Sequence, residues 1–211
     1  MKKMTLFTLI LSCITMHSCS IEEQSLQEEL IATNFTTSTE QKYDYLYGIQ
    51  MYYLSAESEI KRLELLKIKL VAELEKGNKE VMKELEGIQV QIEKLTRLNA
   101  YLISIKPPVG PNGPIPPPKP CLMDKESNCD PKQKFTSKTL IVLGKQLIVT
   151  DIIVKNVKNQ LVDTRFEPTK DQFNQSALQL QSNFKGEGIM YTTLKIEAVG
   201  EITIPTPIVR L

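Results

Sequence analysis

The chain contains no tryptophan and a single histidine, His17, among its 211 residues. With its only imidazole so near the start, the body of the chain cannot build a serine–histidine triad or a histidine-ligated zinc site. Charge of one sign is missing too: 26 basic residues stand against 25 acidic ones, for a net charge of +1. Nucleic-acid binders usually carry a basic excess on one face, so no nucleic acid is expected as a partner. There is no GxSxG motif and no glycine loop that would cradle phosphates before a helix. One spacing has catalytic precedent, Ser58-Glu-Ile-Lys61, which matches the SxxK of serine–lysine acyl transferases. Set beside Glu57 and Glu59 on the charged flank of a helix, it reads as solvated surface. No catalytic residue, metal ligand set or cofactor is expected, and the chain reads as a non-enzyme.

What is present is a long apolar rhythm. Leu46, Ile49, Tyr53, Ala56, Ile60, Leu63, Leu70 and Leu74 follow one another in steps of three and four, with Lys67 filling one slot. After Gly77-Asn78 the rhythm resumes at Val81, Leu85, Ile88, Ile92, Leu95 and Leu102, with Asn99 in one slot. Such spacing keeps a stripe on one side of a helix, and the stripe must be buried. The single break predicts that the second helix folds back antiparallel on the first, in a coiled-coil-like hairpin. The first helix is placed from about Glu40 to Lys76 (roughly 55 Å) and the second to about Ile105 (roughly 40 Å). Ser38 or Thr39 is expected to cap the first, with Gly77 past its end and Asn78 capping the next. Leu66, Val71, Met82, Val90, Leu98 and Tyr101 widen the apolar surface beyond a two-helix seam. That width calls for a third surface: the C-terminal part, a short first helix or another copy of the chain. Lys67 and Asn99 in the seam could set its register, as polar core residues do in coiled coils, but for Lys67 the preferred reading is that its amine reaches water.

Five of the seven tyrosines, Tyr43, Tyr45, Tyr47, Tyr52 and Tyr53, cluster at the start of the hairpin. They read as a recognition surface or as packing against the far end of the second helix, and packing is preferred. Tyr43, Tyr45, Tyr47 and Tyr52 are the candidates for partner contact.

Ahead of the hairpin, Met1-Lys2-Lys3 precedes an apolar run, Leu6 to Leu11, that is too short to span a bilayer. Met16-His17-Ser18-Cys19-Ser20 follows. This stretch resembles the lipobox of bacterial lipoprotein precursors, and the looser form familiar in the Bacteroidota. The resemblance implies cleavage after residue 18 and lipidation of Cys19, which becomes the mature N-terminus and anchors the protein to a membrane. Acyl chains contribute about 0.8 kcal/mol per buried CH₂, so several on one cysteine make a lasting anchor. Ser20 matches the residue that favours outer-membrane sorting, and Glu22-Glu23 resembles acidic surface-export signals. Expected localisation is therefore the cell envelope, at the outer membrane, facing the periplasm or the cell surface.

Residues 19–39 read as a tether with a possible short helix, and 40–105 as the hairpin. Residues 106–134 read as a proline-rich linker carrying a cysteine loop. More than half of the residues from Lys106 to Pro120 are proline. This cannot be helix or sheet interior, and as polyproline II it would extend roughly 40 Å, with Gly110 and Gly113 as possible bends. In an oxidising envelope Cys121 and Cys129 most simply form a disulfide. A metal site would need two more soft ligands.

From residue 135 to 211 the period changes. Thr139–Leu143 and Gln146–Thr150 flank Gly144-Lys145 and read as a hairpin. Asp151–Val157, Ala177–Phe184, Ile189–Val199 and Glu201–Ile204 are further strand candidates, with Pro205 and Pro207 keeping the end of the last one at an edge. The fold class is α+β: a helical hairpin, a proline-rich linker and a small antiparallel β-sandwich or meander. The function expected is that of a lipid-anchored structural or binding protein. Its partners would be the membrane through its lipid, and a protein partner or a second copy through the hairpin. The alternative is an accessory or adaptor component of an envelope transport or secretion complex. Membrane-fusion adaptors also combine a helical hairpin with β domains, but they place β segments on both sides of it, and no strand is read before the hairpin here.

Overall fold

A computed structural model describes residues 43–119, 131–182 and 184–211. Cys19, Cys121 and Cys129, with the leader, the tether and the proposed helix caps Ser38 and Thr39, lie outside the described residues. The described part is α+β, with two long helices, two larger sheets and one two-stranded sheet.

The first element is a strand, β1 (Asp44–Tyr47), where a helix was expected. The sequence Tyr43-Asp-Tyr-Leu-Tyr47 alternates with period two, and β1 pairs in parallel with β5 (Thr139–Val142). Helix α1 therefore starts at Gly48 and runs to Glu75. Gly77 takes a φ of +96°, a conformation that a residue with a side chain adopts only with strain. The Asn78 side chain accepts from the Glu80 amide and opens a short 3-10 turn, Lys79–Val81, that leads into α2 (Met82–Ser104).

The stripe in threes and fours forms the seam. Ile49, Tyr53, Ala56 and Leu63 of α1 are buried, as are Ile88, Leu95, Asn99 and Leu102 of α2, and the two helices pack together. Lys67 is half-buried. Its Nζ donates across the seam to Gln89 Oε1 at 2.5 Å, so the polar slot pairs with a specific partner on the other helix. From Glu64 to Gly87 neither helix has a fully buried residue. Only the base of the pair, toward residues 48 and 104, joins the main core.

β5 lies in a four-stranded sheet of order β1-β5-β9-β8, with β8 at Thr164–Lys170 and β9 at Ser176–Ser182. The other sheet has the order β4-β11-β10-β6-β7. Its strands are β4 (Gln133–Phe135), β6 (Ile148–Asn156), β7 (Leu161–Val162), β10 (Gly186–Ile196) and β11 (Gly200–Arg210). The expected hairpin about Gly144-Lys145 is absent, because β5 and β6 belong to different sheets. Thr139 to Val142 are all buried, the pattern of a strand covered on both faces, so the chain leaves that sheet at Gly144 to join the other. All pairings are antiparallel except β1 with β5 and β4 with β11. Phe135, Ile141, Met190, Leu194 and Ile204, from both sheets, join Tyr52, Leu98 and Leu102 of the helices in one apolar cluster.

The proline strip is not an extended spacer. β2 (Val109–Gly110) pairs with β3 (Gly113–Pro114) in a tight reversal. Gln175 holds this reversal at both backbone atoms of Val109: its Oε1 accepts from the amide at 2.9 Å and its Nε2 donates to the carbonyl at 2.8 Å. Downstream, Pro116 accepts from Gln50 Nε2 at 3.2 Å, and the prolines lie along Tyr53 and Leu54 of α1. The glycines at 110 and 113 allow the reversal, and side chains outside the strip hold it.

Candidate functional site

Two concavities adjoin on the outer face of the five-stranded sheet, of about 480 and 540 Å³, sharing Ile189, Tyr191 and Pro207. Strand register builds their floor. Ile153, Tyr191 and Pro205 lie side by side across β6, β10 and β11, and Lys155, Ile189 and Pro207 form the next row. Side chains alternate along a strand, so this row of odd-numbered positions faces away from the core that Met190, Thr192, Leu194, Ile202 and Ile204 fill. Ile153 and Ile189 remain 39% and 38% exposed, leaving an apolar and aromatic floor open to solvent.

Proline suits this place for a backbone reason. β4 pairs with β11 only through Ile208–Arg210, so Pro205 and Pro207 sit where β11 has a strand neighbour on one side only. A residue without an N–H loses no ladder bond there, and α1 packs against β11. The expectation that these prolines mark an edge therefore holds locally, although the strand runs on through them to Arg210.

Helix α1 supplies one wall with Ser55, Ser58, Glu59 and Arg62. Glu59 is nearly buried and takes a two-pronged contact from Arg62, with Nε and Nη2 each 2.7 Å from a carboxylate oxygen. The hydrogen bonds that Arg62 donates to Glu59 raise the Arg62 pKa, and that guanidinium stays charged. At the other end Lys132 pairs with Glu187 at 2.8 Å, and Lys155 Nζ stands 5.4 Å from the centre of the Tyr191 ring. The groove thus combines an aromatic and proline floor with nearly balanced charge at its rim. Ser58 lies here beside Glu59 and Arg62, and the arrangement offers hydrogen bonding and apolar contact.

The tyrosines separate into two groups. Tyr43, Tyr45 and Tyr47 stand on one face of β1, with ring centres 6.5 Å apart edge-on and then 6.4 Å apart stacked. All three are half-buried. Burial, followed by the neighbouring Asp171 and Tyr43, raises the Tyr45 pKa; burial, then Tyr45 and Asp171, raises that of Tyr47. Tyr52, expected among the contact residues, is instead fully enclosed in the core, and Tyr53 is nearly so. Tyr191 and the Glu59–Arg62 pair are missed by the sequence reading, which takes Pro205 and Pro207 only as edge markers. A signal for the floor existed: Ile189 and Tyr191 are apolar on the strand face opposite Met190 and Leu194, where a half-buried strand would carry polar residues.

Among the described residues no three histidine, cysteine or acidic side chains gather as a metal site, and no helix is long and apolar enough to cross a membrane. Comparison of the chain with family models, curated proteins and solved structures gives no match in any of the three.

Proposed function

We propose that this protein is a lipid-anchored, non-enzymatic binding protein of the bacterial envelope. Cys19 carries the lipid and holds the chain at the outer membrane. The helical pair acts as a coiled-coil-like stalk and the two sheets as a small sandwich-like head. A protein partner docks in the groove floored by Ile189, Tyr191, Pro205 and Pro207. The lipobox-like Met16-His17-Ser18-Cys19 carries the anchoring part of this reading. The open aromatic groove supports the binding part.

A second reading, as an accessory or adaptor piece of an envelope transport complex, gains support from β1. The reason against it was that no strand precedes the hairpin. β1 does precede α1, and it joins the same sheet as β5. The hairpin is thus inserted between β segments, as in adaptors of that kind.

Protease treatment of intact cells, with affinity purification from solubilised membranes, separates the two readings. A surface binding protein is cleaved on intact cells and recovers no pore-forming partner. An adaptor is protected and co-purifies with a channel or pump. Recovery of the chain from the soluble fraction, unacylated, would overturn both.

A further inference from the structure

Helix α1 carries a second apolar stripe on the side away from α2. Leu65 and Ile68 are 63% and 66% exposed, and Ala72 is exposed beyond them. Lys61, Leu65, Ile68, Ala72 and Glu75 follow in steps of four and three, which is a heptad seam with polar ends. The positions beside the seam carry charges sorted by sign. Arg62, Lys69 and Lys76, each seven residues apart, border one side; Glu57 and Glu64, also seven apart, border the other, followed by the exposed Val71. Glu64 and Lys69 form no ion pair among the described residues.

This sorting selects both occupant and orientation. When two copies of α1 lie parallel and in register, each acidic flank meets the basic flank of its neighbour five residues on: Glu57 faces Arg62, and Glu64 faces Lys69. When they lie antiparallel, the basic flanks meet each other and Glu64 has no base opposite it; the parallel pair sets Lys61 on Lys61 and Glu75 on Glu75 only at the two ends of the seam, where long side chains reach water. Arg62 already holds Glu59, so the pair that decides between the two orientations is Glu64 with Lys69. We infer that the exposed face of α1 from Lys61 to Glu75 pairs with the same face of a second copy, parallel and in register.

The apolar part of the seam is short, far below the surface that a stable complex in solution buries. The pairing is therefore weak in solution and strengthened where copies share a surface and a direction, as anchored chains do. This inference rests on the proposed anchoring only for that local concentration.

The test is oxidative crosslinking of the full-length Ile68→Cys variant in membranes, with peptide mapping of the product and wild-type protein as control for the native cysteines. A disulfide joining position 68 of one copy to position 68 of another is expected, since seam residues of a parallel pair meet their own counterparts. Lys83→Cys, on the outer side of α2, should give no bond between its own counterparts. Glu64→Lys, introduced beside Ile68→Cys, should reduce the 68–68 product roughly tenfold by turning two attractive pairs repulsive, and adding Lys69→Glu should restore it. No 68–68 bond, or one indifferent to these charges, overturns the inference. Chain found in the soluble fraction is tested in the same way at high concentration. Loss of the anchor then counts against the proposed function alone, and the pairing is still judged by its own bond.

Discussion

Tyr52 shows at the scale of one residue how burial sets chemistry. Its side chain is fully enclosed, and burial pushes its phenol well above the ordinary tyrosine range, with the neighbouring Thr192 hydroxyl acting in the opposite direction. No hydrogen bond of good geometry joins the two hydroxyls, so Thr192 offsets little of that rise. The ring therefore stabilises the fold while its oxygen contributes little. Tyr52→Phe should change stability by less than about 1 kcal/mol. Tyr52→Ala should cost about 3–5 kcal/mol, as measured by denaturant unfolding. The same residue makes the fold alkali-sensitive. The folded pKa lies above the unfolded value, so the contribution is complete below about pH 10 and is lost as pH rises beyond it, by up to about 1.4 kcal/mol per unit. Unfolding curves between about pH 9 and 11.5 should show a steeper decline in wild type than in Tyr52→Phe. Equal slopes would place the alkaline sensitivity elsewhere.

Gly188 makes a similar point about space. A Cβ there would lie 2.5 Å from the Lys155 carbonyl oxygen and 2.9 Å from the Phe184 ring. Backbone cannot yield as a flexible side chain does, so Gly188→Ala should destabilise by about 1–3 kcal/mol. An alanine variant as stable as wild type would mean that β6 and β10 are less tightly apposed than described.

At the scale of elements, the proline strip is the clearest case of structure set by its neighbours. Asp171 is buried and accepts from the Phe173 amide, the Gln175 amide and Gln175 Nε2. This aims Gln175 at Val109, so the turn between β8 and β9 clamps a segment more than sixty residues earlier in the chain. Gln175→Ala should release the reversal at 109–114 without unfolding the sheets. Hydrogen exchange at the Val109 amide should then quicken about tenfold or more while amides of β10 stay protected. Unchanged exchange at Val109 would show that packing on α1 holds the strip unaided.

The same contrast explains which elements could be read in advance. The hairpin was legible because its stripe is local: residues three and four apart carry the signal, and Gly77-Asn78 marks the turn. The strands β10 and β11 announced themselves by alternation. The position of β1 was not legible, since Leu46 and Ile49 also fit the helical stripe and its partner β5 lies far along the chain, Asp44 pairing with Thr139. The switch of sheets at Gly144 was hidden for the same reason, because a glycine turn between two apolar runs looks the same locally whether or not the runs pair. The groove was less visible still. It depends on register across three strands and on α1 crossing the open edge of β11, neither of which is written in any one segment.

At the scale of the whole molecule, the helical pair joins the main core only at its base and extends beyond it with a charged, partly apolar outer surface. On the proposed reading, the pair offers the outer face of α1 to neighbouring copies while the groove beside β10 and β11 takes a partner. The proposed attachment at Cys19 is what would bring such copies together. The most direct measurement compares wild type with Cys19→Ala for incorporation of labelled fatty acid and for partition between membrane and soluble fractions. Wild type should take up label and stay with the membrane, and the variant should lose both. A variant that stays in the membrane with its labelling unchanged would contradict it.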